Sequence, residues 1–327
     1  MRQALDALDP SAPAARALDA LVEQGRDDLP LPGAGATLQR WQALAAVGAH
    51  DLSLAKLFEG HTDALAILAE VDAGADRPRG STWGVWAAES PRGRAVLTTG
   101  PDGRCTLDGI KLWCSGAGHV SHGLLTAWHA AGRGPQLVRV SMQQPGIVID
   151  ASGWNSVGMA GAASVDLSFD NVACDRVGGL GDYLARPGFW QGGAGVAACW
   201  HGGAVHLAQA LHRTLAGQPA AERGAFRLAA LGKIDLALQR SAAMLRAAAH
   251  WIDAHPHEDA SAVALRVRLG AEDAARLVLD EAGRALGAAP FCRDAAFARA
   301  AADLPVFVRQ SHAERDFAAL GERVAAS

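Results

Sequence analysis

The residue pattern of the chain changes twice, and these two changes constrain the fold more than any single motif. Residues 1–78 carry apolar residues at helical spacing, as at Leu18 and Leu21. Residues 79–180 carry short apolar runs separated by glycine, proline, aspartate and asparagine, which is typical of strands and turns. The helical spacing returns over residues 181–327. We therefore expect an α+β protein with an N-terminal helical domain, a middle antiparallel β-domain and a C-terminal four-helix bundle.

Two signals within the middle domain indicate strands. Apolar and polar residues alternate over 164–170, which predicts a half-buried strand. The apolar runs 105–107 and 110–112 flank Asp108 and Gly109, and this pair predicts a two-residue hairpin. The middle domain is therefore expected to be an antiparallel sheet or a small barrel.

Charge, hydropathy and cysteine content exclude several classes of protein. The formal net charge is −4 and basic residues alternate with acidic ones, so we expect no nucleic-acid partner. No run of about 18 apolar residues occurs, so we expect no membrane span. The chain start lacks the features of a secretory signal. The five cysteines are scattered without a C-x-x-C pair, which indicates reduced thiols in the cytoplasm and no metal site.

A glycine-rich run, Gly192-Gly193-Ala-Gly195, opens the C-terminal domain. It lacks the full G-x-G-x-x-G pattern and the strand–helix context of a nicotinamide-binding turn. Glycine has no Cβ, so the run predicts that the chain passes close to a cofactor or to another helix.

Four segments, taken in order, resemble motifs of the acyl-CoA dehydrogenase family. Residues 107–115 (LDGIKLWCS) resemble its L-x-G-x-K-x-W-I-[ST] segment, and residues 154–172 resemble its G-M-R-x-T-x-S strand pair. Residues 213–219 are similar to its R-x-x-F-G-x-P turn, and residues 293–294 match a late R-D pair. The resemblance covers about residues 40–320.

The resemblance implies an FAD enzyme that forms a homodimer or homotetramer. It implies that Trp113 packs against the flavin ring, that Ser115 hydrogen-bonds near its N5/O4 edge, and that Glu89 lies on the strand lining its pyrimidine side. Arg213 matches an arginine that contacts the FAD pyrophosphate of a neighbouring subunit. The residues alone also allow an ordinary strand tryptophan at 113, a solvated arginine at 213, and a glutamate at 89 that only satisfies backbone donors.

The family's catalytic glutamate, which removes the proton α to a thioester, is missing from its usual segment. Asp303 is the carboxylate nearest that place and is the candidate base, since a buried carboxylate gains basicity. Asp-Leu-Pro at 303 also predicts a helix N-cap with Pro305 in the first turn. No acidic residue occurs over 183–221, where His201 and His206 are the other candidates for a base.

These residues lead to one main hypothesis and two alternatives. The main hypothesis is FAD-dependent α,β-dehydrogenation of an acyl-CoA or other acyl thioester, with electrons passed to an electron-transfer acceptor. The first alternative is a flavin-dependent monooxygenase or oxidase, because the polar segment 309–316 resembles that of members lacking the glutamate. The second alternative is a catalytically silent binding protein, which would bind no FAD.

Overall fold

The computed structural model of the protein describes nearly the whole chain, namely residues 1–9, 11–72, 77–130, 132 and 134–326. The helices that precede the strands are α1 (Arg2–Asp6), α2 (Ala14–Glu23), α3 (Thr37–His50) and α4 (Leu52–Val71). Asp51 caps α4, since its carboxylate accepts a 2.7 Å hydrogen bond from the backbone N–H of Leu54. One face of α4 packs on the strands through Ile67 and Leu68, which share a buried cluster with Trp83.

The middle of the chain forms a small closed barrel. Its strands are β1 (Trp83–Trp86), β2 (Ala95–Thr99), β3 (Cys105–Ser115), β4 (His122–His129), β5 (Pro135–Ser141), β6 (Ile147–Asp150) and β7 (Ser164–Val177). The order β2-β3-β7-β5-β4 closes because β4 pairs back with β2. The predicted strand over 164–170 is confirmed within β7, where Val165, Leu167 and Phe169 point into the core.

The expectation of a wholly antiparallel β-domain is wrong for two strand pairings. β1 and β2 both run parallel to β4. β5 occupies one edge of β4 along residues 122–128. β1 pairs with residues 122–125 and β2 with residues 128–129, so both lie on the other edge. The two strands thus follow each other along β4 as one interrupted strand, and they share its direction.

The predicted hairpin at Asp108-Gly109 is also wrong. β3 runs straight through both residues, and its register against β7 shifts between Leu107 and Gly109. Gly109 has φ +93°, and a Cβ there would overlap the carbonyl oxygen of Arg94. The glycine therefore serves a β-bulge, which needs the same positive φ as a tight turn. The turn between β2 and β3 lies at residues 100–104 instead.

Helices return after the barrel. They are α5 (Asp182–Ala185), α6 (Gly188–Ala216), α7 (Ala225–Ala254), α8 (Ser261–Leu286), α9 (Ala289–Arg293), α10 (Ala295–Phe307) and α11 (Glu314–Ala326). α6 contacts α3 and α4 on one side and α7, α8 and α10 on the other. It therefore packs against helices that precede the barrel and against helices that follow it. Over the described ranges, no helix combines the length and the apolar character needed to cross a bilayer.

Glycines allow α6 to approach its neighbours closely, as the glycine-rich run predicts. A Cβ at Gly202 would overlap the carbonyl oxygen of Ala45 on α3. A Cβ at Gly195 would lie 3.2 Å from Nε1 of Trp41, and one at Gly192 would lie 2.7 Å from Oδ1 of Asp63. The close neighbours of these glycines are therefore other helices.

Candidate functional site

Trp113 projects from an irregular point in β3. The register of β3 against β7 shifts between Lys111 and Cys114, and Trp113 within this shift has φ +63°. Its side chain is 60% exposed, while its backbone N–H lies 3.4 Å from Oδ1 of Asp166. A bulky residue at positive φ is strained. The backbone therefore presents a flat apolar ring on the barrel surface at a cost in strain.

Ser115 lies two residues further along β3, and both its side chain and its carbonyl oxygen have a partner. Its Oγ lies 2.7 Å from Oγ of Ser164, and its carbonyl oxygen accepts a 3.0 Å hydrogen bond from Nε1 of Trp86. The structure thus places Trp113 and Ser115 on the same end of one strand. Sequence reasoning missed Ser164, although its alternating strand position implied a polar face beside β3.

Glu89 follows β1, is half-exposed and binds a buried lysine. Oε1 of Glu89 accepts hydrogen bonds from Nζ of Lys111 at 3.0 Å and from Oγ1 of Thr126 at 2.6 Å. Oε2 accepts one from Nε1 of Trp128 at 2.8 Å. Burial raises the pKa of Glu89, but these three hydrogen bonds outweigh it and lower the pKa below its ordinary value. The donors are side chains, so the alternative of backbone donors is wrong.

Asp303 lies inside α10, so the predicted N-cap at this position is wrong. Asp294 caps the helix instead, and its carboxylate accepts hydrogen bonds from the backbone of Ala296 and Phe297. Oδ1 of Asp303 accepts a hydrogen bond from the backbone N–H of Met159, 2.5 Å away. Burial raises the pKa of Asp303, although the hydrogen bond from Met159 opposes the rise. The carboxylate therefore contacts the loop that enters β7 at Ser164.

The histidines on α6 contact other helices. Nδ1 of His201 lies 3.1 Å from Oγ of Ser241 on α7, and burial lowers the pKa of His201. Nδ1 of His206 lies 2.9 Å from the carbonyl oxygen of Ala49 on α3. Among the described residues, no contact joins either histidine to Trp113.

Arg213 is exposed near the end of α6 and lines a cleft in the bundle of about 310 Å³. Arg227 from α7 and Asp294 line the same cleft. Nε of Arg227 donates a 3.1 Å hydrogen bond to the carbonyl oxygen of Ala285. Sequence reasoning missed Arg227, because its place in the same cleft as Arg213 depends on the packing of two helices. A cleft lined by two arginines and one aspartate could hold a phosphate or pyrophosphate through the guanidinium groups.

The described residues offer the groups that a flavin nucleotide requires. An isoalloxazine ring needs a flat apolar surface and nearby hydrogen-bonding groups, and Trp113, Ser115 and Ser164 supply these on the barrel. Its phosphates need cations, and Arg213 and Arg227 supply them in the bundle. Within the part of one chain that is described, no contact joins these two places.

Comparison with known proteins gives matches through structure and none through sequence. No protein-family model matches the chain, and no curated protein matches it. The structure is similar to butyryl-CoA dehydrogenase from Megasphaera elsdenii, with a TM-score of 0.81 and 15% identity over 95% of this chain and 90% of that one.

Two monooxygenases are similar over nearly their whole length. Dibenzothiophene monooxygenase TdsC from Paenibacillus sp. A11-2 has a TM-score of 0.73 and 18% identity, over 98% of this chain and 96% of that one. Methanesulfinate monooxygenase MsuC from Pseudomonas fluorescens has a TM-score of 0.73 and 18% identity, over 98% and 94%. TdsC has also been solved with FMN and indole. The chain therefore has the acyl-CoA dehydrogenase fold, which both dehydrogenases and monooxygenases adopt.

Proposed function

We propose that the protein is a flavin-dependent oxidoreductase. The observation that carries this proposal is Trp113, a large ring held at φ +63° and 60% exposed beside the Ser115–Ser164 hydroxyl pair. Strain of this kind persists only where surrounding structure maintains it, and it is concentrated at functional sites. A flavin bound there supplies the redox chemistry, while the protein supplies a stacking surface and fixed hydroxyl groups.

We propose FAD as the flavin, because Arg213 and Arg227 together match two phosphate groups. FMN is the alternative, and its complex with TdsC supports it. The protein purified without added cofactor is expected to be yellow, and chromatography of the released flavin identifies it by mass. A colourless protein that takes up neither flavin contradicts the enzyme proposals and favours the catalytically silent binding protein.

For the reaction itself, α,β-dehydrogenation of an acyl thioester is the first candidate, with Asp303 as the base. Asp303 is 3% exposed, and burial raises its pKa, as proton abstraction requires. Its contact with Met159 connects it to the loop that leads to Ser164 and the hydroxyl pair. The carboxylate therefore reaches the barrel side of α10.

Asp303→Asn tests this role, because an amide oxygen still accepts the hydrogen bond from Met159 but cannot take a proton. We expect flavin content to stay constant while anaerobic flavin reduction by butyryl-CoA slows by about 100-fold or more. Asp235→Asn, an exposed carboxylate on α7, is the control. An unchanged reduction rate in Asp303→Asn rejects Asp303 as the base.

A monooxygenase or oxidase is the second candidate, and the hydrogen bond that already engages Asp303 favours it. A carboxylate fixed to the Met159 N–H is less free to accept a substrate proton. The similarity to TdsC and MsuC supports the same reading. The test is to supply reduced flavin, ¹⁸O₂ and indole, and to measure labelled oxygen in the product by mass spectrometry. If the product contains ¹⁸O and butyryl-CoA does not reduce the flavin, the result favours the monooxygenase over the dehydrogenase.

We further propose a homodimer or homotetramer in the cytoplasm that transfers electrons to a separate acceptor. Phe226, Leu228 and Leu236 on α7 are 93%, 44% and 51% exposed, and a second copy would cover exposed apolar side chains of this kind. The separation of the Arg213 cleft from Trp113 within one chain supports the same assembly. Sedimentation equilibrium is expected to give at least twice the monomer mass.

A further inference from the structure

A second cleft in the bundle, of about 200 Å³, lies between α8 and the end of α10. Residues 275–279 of α8 form one wall, and residues 304–309, at the end of α10 and in the 3₁₀ turn that follows it, form the other. Pro305 lies inside α10 and has no backbone N–H, so it removes one hydrogen bond from the helix. The gap beside α8 lies at this interruption. We call it the α8–α10 cleft.

The floor of the α8–α10 cleft is apolar. Leu304 and Val308 are 1% and 2% exposed, and Ala275 on the facing helix is fully buried. Leu279, one turn after Ala275, is half-buried and lines the cleft with them. Residues four apart lie on the same face of a helix, so each wall contributes a pair of apolar side chains. This floor suits a hydrocarbon group, whose removal from water is favourable.

Two arginines line the same cleft. Arg276 is exposed and makes no hydrogen bond or ion pair with any described residue. The side chain of Arg309 is 51% exposed, and one of its terminal nitrogens binds the carboxylate of Glu272. A guanidinium group has five N–H donors, so both arginines keep donors for a ligand. In the described ranges, no acidic residue lines the cleft.

The charges at the cleft favour a ligand with one negative charge. Arg276 and Arg309 are both cationic, and Glu272, which is 3% exposed and does not line the cleft, offsets one of them. A divalent anion would exceed the charge that remains, and a cation would lie beside two guanidinium groups. A single carboxylate matches this charge, and its two oxygens accept from guanidinium donors in one plane.

We propose that the α8–α10 cleft binds a small monocarboxylate with a short aliphatic chain. The carboxylate accepts from Arg276 and Arg309, and the chain lies on Leu304 and Val308. The volume of the cleft is below the range of about 300–1,000 Å³ that is typical of sites for drug-sized ligands, so the chain is short. Neither Trp113 nor Arg213 lines this cleft, so the inference does not rest on the proposed flavin function.

The test titrates the protein as purified with four matched probes and follows binding by saturation-transfer difference NMR. Hexanoate has both the charge and the chain, 1-hexanol lacks the charge, hexylammonium has the opposite charge, and acetate lacks most of the chain. We expect hexanoate to bind saturably, with an affinity at least about tenfold above those of the other three. Acetate buries less apolar surface, and the other two lose the charge-assisted hydrogen bonds.

Two variants locate the binding. Arg276→Gln keeps a polar side chain at an exposed position and removes its charge, so it is expected to weaken hexanoate binding by about tenfold. Arg266→Gln removes an exposed arginine of the same helix that lies outside the cleft. It is the control and is expected to bind hexanoate as the wild type does. Urea unfolding checks that both variants are folded.

Several outcomes overturn the proposal. They are an absence of hexanoate binding, unchanged binding in Arg276→Gln, equal weakening in Arg266→Gln, and binding of any other probe as tight as that of hexanoate. The absorbance of the same samples gives their flavin content. A colourless protein that binds hexanoate leaves this inference intact, and a yellow protein that does not bind hexanoate rejects this inference alone.

Discussion

Nζ of Lys111, two residues before the exposed Trp113, lies 3.0 Å from Oε1 of Glu89. The lysine side chain is 4% exposed and the glutamate side chain is 43% exposed. Nζ of Lys111 also donates to the carbonyl oxygen and to Oγ1 of Thr126, at 3.0 and 2.7 Å. The pair therefore secures the strand that carries Trp113 and Ser115, and Glu89 is the counter-charge that makes a buried lysine tolerable.

Glu89→Gln is expected to destabilise the protein by about 1–2 kcal/mol, because it removes the counter-charge of the buried Lys111 while solvent at the half-exposed carboxylate reduces the effect. Urea unfolding at pH 7 measures the change. Glu322→Gln, on the exposed end of α11, is the control and is expected to change stability by less than about 0.5 kcal/mol. A loss no larger than that of the control shows that Lys111 does not depend on Glu89.

The contribution of Glu89 depends on pH in a defined direction. Its pKa in the folded protein lies below the ordinary value of 4.5, so the stabilisation is complete above that pH. It is lost as the pH falls through the lower, folded-state pKa. The difference in unfolding free energy between wild type and Glu89→Gln should therefore be constant from pH 7 to 5 and shrink below about 4.5. A difference that grows on acidification contradicts this sign.

Trp113→Gly separates flavin binding from folding. Positive φ costs a bulky residue about 1–2 kcal/mol, which glycine avoids. Glycine loses more conformational entropy on folding, and this offsets about 0.5–1 kcal/mol of the gain. Stability is thus expected to stay equal or to rise by up to about 1 kcal/mol, while flavin retention after gel filtration falls. Trp251→Phe, on α7 and away from the barrel, is the control and should keep its flavin. Full flavin occupancy in Trp113→Gly contradicts the stacking role.

Arg213→Ala is expected to lower flavin retention without changing stability, since the side chain is exposed and lines the cationic cleft. Loss of one charge-assisted contact to a phosphate corresponds to about a tenfold to hundredfold weaker affinity. The control is Arg240→Ala on α7, which removes an exposed arginine outside the cleft. Fluorescence titration of the apoprotein with FAD gives both affinities. Equal affinities reject the phosphate role of Arg213.

Two glycines of α6 should respond to alanine in opposite directions. Gly202→Ala forces a methyl group against the backbone of Ala45 and is expected to cost about 1–3 kcal/mol. A Cβ at Gly193 would meet nothing within 4 Å, so Gly193→Ala should gain up to about 1 kcal/mol of helix propensity. Urea unfolding compares the two. A loss in Gly193→Ala or none in Gly202→Ala contradicts the observed spacing between α3 and α6.

The order of helices and strands was predictable because each segment has its own hydrophobic period, as the alternation in β7 shows. The path of β3 was not predictable, since Asp108-Gly109 has the same local preference in a bulge as in a turn. Only the neighbouring Arg94 carbonyl, which arrives from β2, decides between them. The parallel placement of β1 and β2 on β4 likewise depends on long-range pairing that no local pattern encodes.

The candidate site was predictable only where a motif places residues close in sequence. Trp113 and Ser115 lie together because one strand carries both. Arg227 lines the same cleft as Arg213 only through the packing of α7 beside α6. Contacts of this kind depend on the assembled helices, and hydrophobic spacing alone does not specify them.

The hydrogen bond between Asp303 and Met159 connects α10, near the end of the chain, to the loop that enters the barrel strand β7. Met159 has φ +58° and Ala163 has φ +39°, so the backbone between them has little freedom to relax. This short stretch links the Asp303 contact on α10 to Ser164 and then to its hydroxyl partner, Ser115. The alignment of the Ser115 and Ser164 hydroxyls is thus expected to depend on the position of α10, although both hydroxyls lie on strands.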